Sequence, residues 1–100
     1  MKRIIANLLV LTTLAACDSP HPAFMGIKPQ VITVQGSTFS VRIKGREAEA
    51  IRTSVEYIPR IGEIFPKAAA AIEQASGCRV IARSMKGDSA YMRARLDCAP

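Results

Sequence analysis

Arginine is the side chain whose type and spacing come closest to chemistry in this sequence. In the last quarter of the chain Arg79, Arg83, Arg93 and Arg95 sit at odd-numbered positions, with Tyr91 among them. Strand periodicity would bring all five to one face, beside Ile81 and a single carboxylate, Asp97. Guanidinium forks match phosphate and carboxylate groups, and tyrosine suits an interface. These five residues are therefore a candidate binding face, which Arg42 and Lys44 would extend if they lie in the same sheet. Alternation also places charge on any ordinary solvated sheet face, where arginine helps discourage edge pairing. The groups that catalysis would need are poorly placed. Ser54, Ser76, Ser84 and Ser89 have no histidine to activate them, because the one histidine, His21, stands among prolines. Without a second histidine or a carboxylate cluster, His21 reads as a solvated residue rather than a metal ligand. Glu47 and Glu49 would share a strand face and read as an exposed, solubilising pair. Lys86-Gly87-Asp88 is a turn by its chemistry. With no phosphate-binding glycine loop, cofactor motif or internal repeat, the expectation is a chain that is not an enzyme and holds neither metal nor cofactor.

The N-terminus carries more information. Lys2 and Arg3 precede Ile4–Leu14, a stretch that is apolar except for Asn7, Thr12 and Thr13. A permanent membrane span takes about 17–25 apolar residues, so this one has the length of a signal-peptide core instead. Leu14-Ala15-Ala16-Cys17 follows. In this order the segments resemble the lipobox signal of bacterial prolipoproteins, over the first seventeen residues only. The resemblance implies cleavage between Ala16 and Cys17, diacylglycerol on the Cys17 thiol, and an amide-linked acyl chain such as palmitate on the new N-terminus. At about 0.8 kcal/mol per buried methylene, several acyl chains hold a protein on a bilayer without a spanning helix. Asp18 resembles the inner-membrane retention signal of enteric-type sorting, which favours that membrane slightly over the outer one. The expected location is the cell envelope, facing the periplasm.

Removing Lys2 and Arg3 leaves twelve basic and eight acidic side chains, a net charge of +4. This suits an anionic surface or an acidic envelope protein. It falls short of a dedicated nucleic-acid binder, a target that export also argues against. Residues 17–30 contain Pro20, Pro22, Pro29 and Gly26 without apolar periodicity, and read as a semi-rigid tether. At about 3.1 Å per residue it would hold the following domain up to ~40 Å from the bilayer.

With Cys17 lipidated, Cys78 and Cys98 remain, an even pair in an oxidising compartment. Their spacing is unlike the C-x-x-C of redox sites, so a structural disulfide is expected. For a twenty-residue separation the chain-entropy relation gives about 3 kcal/mol, a large share of the stability of so small a body. Gly77-Cys78 after an alanine-rich segment, with Cys98 near the end, also resembles small envelope lipoproteins for which no function is implied.

Elements that would position these groups can be read along 31–100. Val31–Gln35 and Thr38–Ile43 flank Gly36-Ser37 as a hairpin, with Phe39, Val41 and Ile43 on one face. Glu47 to about Val55 reads as a third strand, with a helical turn as the competing possibility. Glu63–Ser76 is helical, placed there because Pro66 belongs in a first turn and Gly77 suits a left-handed C-terminal cap. Its apolar stripe is Phe65, Ala68, Ala69, Ile72 and Ala75. Cys78–Ser84 and Ser89–Cys98 read as a second hairpin. The expected fold is α+β: an antiparallel ββ(β)αββ sheet with one helix on one face, stapled by the disulfide. The function this supports is a membrane-anchored, non-catalytic binding or accessory module. The alternative is an inhibitor of a cell-wall hydrolase or other envelope enzyme, although a +4 chain would start by repelling a basic hydrolase.

Overall fold

A computed structural model describes residues 19–99. The six strands are β1 (Gln30–Val34), β2 (Ser37–Lys44), β3 (Glu47–Arg52), β4 (Arg79–Val80), β5 (Lys86–Gly87) and β6 (Tyr91–Asp97). One helix, α1 (Ile61–Ser76), joins β3 to β4, and a short 3-10 turn covers Pro22–Phe24. Every pairing is antiparallel, in the order β1-β2-β3-β6, with β4 and β5 one after the other along the outer edge of β6. The α+β architecture expected from the sequence is the one observed.

The helix covers one face of the sheet. Alternation aims Phe39, Val41, Ala48, Ala50, Met92, Ala94 and Leu96 at it, where they meet Ile64, Ala68, Ala71 and Ile72. Alanines on both sides of this contact let the helix lie close to the strands. The buried stripe is Ile64, Ala68, Ala71 and Ile72, with Phe65 and Ala75 partly buried against it, and α1 begins at Ile61, two residues before the start that Pro66 suggested. Pro66 therefore lies within the helix, and the residue four positions earlier, whose carbonyl it cannot engage, is Gly62. Gly77 ends the helix at φ 74°, with its N–H on the Glu73 carbonyl.

The second hairpin is less regular than the alternation implied. β4 keeps only the pairs Arg79↔Asp97 and Val80↔Leu96 before the chain bulges away, and β5 returns at Lys86↔Arg93 and Gly87↔Met92. Ser84 fills the gap: its hydroxyl accepts from the Arg95 N–H at 3.0 Å and donates to the Arg95 carbonyl at 3.3 Å. Residues 81–85 thus fit opposite Ala94 and Arg95 because a buried serine stands in for the missing ladder bonds. Gly87, at φ 122°, admits no side chain, since a Cβ there would strike the Tyr91 carbonyl. Cys78 and Cys98 are disulfide-bonded, with Cα atoms 4.6 Å apart.

The largest departure concerns the expected tether. Residues 21–28 lie across the face of the sheet opposite the helix and form a strap. Phe24 is completely buried there, with the Arg93 guanidinium 5.0 Å from its ring centroid. Lys44 Nζ donates to the Ala23 carbonyl, and Arg42 Nε to the Ile27 carbonyl. His21 caps the 3-10 turn, its Nδ1 accepting from the Ala23 N–H at 3.0 Å. Proline content marks a segment that cannot join a sheet ladder, but it does not prevent one phenylalanine from docking the segment on a sheet face.

Candidate functional site

Two places on the body concentrate polar or apolar groups beyond what folding periodicity supplies. The first is under the strap. Glu49 was expected to be exposed beside Glu47, yet it is fully buried on β3. Its Oε2 accepts from the Tyr91 hydroxyl at 2.7 Å and from the His21 N–H at 2.8 Å, while Arg42 lies 3.5 Å from Oε1. These donors replace the water that the carboxylate gave up, and among the described residues no buried side-chain nitrogen or oxygen lacks a partner. Desolvation, followed by the bond to the Glu49 carboxylate, pushes the Tyr91 phenol well above its ordinary range. The cluster therefore ties the strap to the sheet through the Glu49 carboxylate.

The five residues of the expected binding face are not brought to one open surface. Arg79 and Arg95 are exposed, on β4 and β6. Arg83 sits in the bulge at φ 66°. Tyr91 is occupied by Glu49, and Arg93 pairs with Glu47 at 2.8 Å while lying over Phe24. Strand alternation fails for Arg83, which the bulge takes out of the ladder, and it carried no sign of the strap that covers Tyr91 and Arg93. Cys17 and Ala16, the expected lipidation and cleavage positions, lie outside the described residues.

The second place is the loop between β3 and α1, whose first residues the alternation assigns to a strand. Val55 is 100% exposed, Tyr57 91%, Ile58 63% and Ile61 47%, a run of large apolar side chains left in water. Its base is tightly held. The Thr53 N–H donates to the Thr38 carbonyl, and Ser54 Oγ accepts from the Thr38 N–H and donates to Glu56 at 2.6 Å. The Arg52 guanidinium bonds the Ser54 and Ser89 carbonyls and lies 3.9 Å from Glu56. Ile58 takes φ 50°, the left-handed region that a β-branched residue rarely enters, immediately before Pro59. The loop thus sets a strained apolar tip on a hydrogen-bonded base. The signal in the sequence was the supply of large apolar residues after the point where β3 stops pairing, ahead of a proline.

The Ser54 hydroxyl, then Ser37, with Arg52 and Lys67 at longer range, hold the Glu56 carboxyl below its ordinary 4.5. A depressed folded-state value means that Glu56 steadies the loop above the ordinary carboxyl range and ceases to as pH falls through the lower, folded-state value. The Glu56 carboxyl is expected to titrate below 4.5 by NMR. Glu56→Gln is expected to speed tryptic cleavage after Arg60 several-fold at neutral pH with little change in melting temperature. A Glu56 that titrates normally, with cleavage unaltered in the variant, would mean that the carboxylate does not hold the loop.

Among the described residues there is no group of three or more His, Cys, Asp or Glu side chains placed to hold a metal ion, and no helix long and apolar enough to cross a membrane. Comparison with protein-family models, curated proteins and solved structures finds no match to this chain.

Proposed function

We propose that this chain is a lipid-anchored module of the bacterial cell envelope, fastened through Cys17 and facing the periplasm, that works by binding rather than catalysis. The observation that carries the reading is the loop Thr53–Arg60, where Val55, Tyr57 and Ile58 stand in water on a base fixed by Ser54, Glu56 and Arg52. Exposed apolar groups clustered in this way mark contact sites, whereas scattered single ones need no explanation. The lipobox-like Leu14-Ala15-Ala16-Cys17 supplies the anchor, and Asp18 tilts the location toward the inner membrane.

The test is made in cells. Wild-type chain is expected to incorporate a palmitate analogue and to fractionate with membranes, and Cys17→Ala to do neither. A photocrosslinking residue at Val55 is expected to give adducts that one at Arg83 does not. Adducts from Arg83 alone would return the contact to the basic edge, and label retained on Cys17→Ala would remove the anchor. A second reading, inhibition of a cell-wall hydrolase or other envelope enzyme, draws on the same held loop, which has the form of a segment presented to a cleft. Inhibition of one member of a hydrolase panel, lost with Tyr57→Ala, would favour it.

A further inference from the structure

The strap's first described contacts point its N-terminal end toward the part of the sheet that carries the loop. Between Ala23, whose carbonyl meets Lys44, and His21, whose N–H meets Glu49, the strap runs in the direction in which β3 runs from Glu47 to Arg52. From Ala23 back to His21 the chain thus heads for the end of the sheet where Arg52 gives way to the apolar loop. Only four residue steps separate Cys17 from His21, and a fully extended chain spans at most ~3.6 Å per residue. The leash is therefore about 14 Å at most, not the ~40 Å of a free tether.

From this we infer that the occupant of the loop is the bilayer itself: Val55, Tyr57 and Ile58 enter the boundary between headgroups and acyl chains and set the orientation of the domain on the membrane. The inference rests on the anchor reading above. Its chemistry agrees with the loop's composition. Tyrosine is enriched at membrane–water interfaces, where its ring is apolar and its hydroxyl stays wet. Arg60, exposed at the end of the loop, can lay its stem along the apolar tip and reach anionic headgroups. The loop's one carboxylate, Glu56, is turned back to Ser54 and Arg52. With a leash this short, exposed apolar side chains on the part of the body nearest the anchor would meet lipid before any partner farther from the membrane.

The chain contains no tryptophan, so Tyr57→Trp creates a single fluorescent reporter at a position exposed enough to tolerate it. The processed full-length chain is purified from cells, its acylation read by mass, and reconstituted in vesicles of phosphatidylethanolamine and phosphatidylglycerol. Met25→Trp, at another exposed site on the strap, is the control. The expected result is blue-shifted emission from the Tyr57→Trp protein, quenched at least two-fold more by acyl-brominated lipid than emission from the Met25→Trp control. Acylated Tyr57→Trp protein that emits as in water, or is quenched no more than the control, overturns the inference and leaves the anchor standing. A chain with no acyl group overturns the anchor reading and this inference with it. Photocrosslinking from Val55 in cells is expected to yield lipid adducts, and capture of one defined protein in their place would reassign the loop to that protein.

Discussion

Phe24→Ala is expected to lower the melting temperature by about 12 °C or more and to release the strap from the sheet. Truncating a fully buried phenylalanine costs about 3–5 kcal/mol, and each kcal/mol moves the midpoint of a domain this size by about 4–8 °C. The site has little means of collapsing around the loss. Phe24 stands apart from the helix-side core, and the nearest group identified over its ring is the Arg93 guanidinium, already engaged with Glu47. Removing the ring leaves Glu49 dependent on strap bonds that no longer have a reason to form, and a buried carboxylate losing a donor is destabilised further. The His21 amide, bonded to Glu49 in the wild type, is the local reporter and should lose its protection from hydrogen exchange. The variant should also lengthen the leash, because the strap residues become part of it. A melting temperature within about 2 °C of wild type, with His21 still protected, would mean that polar contacts alone hold the strap.

The strap explains why the helix-side half of the fold was legible in the sequence and the other half was not. Phe39, Val41 and Ile43 alternate, Ala68 and Ile72 recur at helical spacing, and two cysteines remained to pair, so local pattern and long-range contact point to the same sheet. On the opposite face the pattern is silent. Glu49 looks like any outward strand carboxylate until a non-adjacent segment supplies His21 and Phe24 to cover it. Residues 21–28 have no periodicity, since a segment docked by one aromatic ring and a few backbone bonds does not need any. The bulge between β4 and β5 was hidden for a related reason: Ser84 imitates the backbone of a regular ladder, and a lone serine in a strand-like run gives no hint of that role. The loop after β3 was obscured by Val55, which continues the alternation of β3 past the residue where pairing stops. Strand ends are set by which neighbour is there to bond, and here Thr38 binds Thr53 and Ser54 in a way that turns the chain out.

The second large effect concerns the disulfide. Replacing both Cys78 and Cys98 with alanine is expected to remove about 3 kcal/mol, read as a lower denaturant midpoint with little change in slope. The bond ties the residue after the helix cap to the residue after β6, and between those points β4 contributes only two register pairs. Two kinds of amide separate its contributions. Cross-linking acts mainly by restricting the unfolded chain, so amides of β3 and β6 that exchange only through global unfolding should all lose the same free energy. The Val80 N–H, bonded to the Glu73 carboxylate, and the Ile81 N–H, bonded to the Arg95 carbonyl, lie where the corner can open alone. If the bond also holds that corner in the folded state, these two should become the least protected of the hydrogen-bonded amides around β4, and α1 should fray from Gly77 backwards. An equal loss at all positions would assign the whole effect to the unfolded chain. A loss below about 1 kcal/mol everywhere would mean that the Glu73–Val80 and Ser84–Arg95 bonds close the corner without help from the sulfurs.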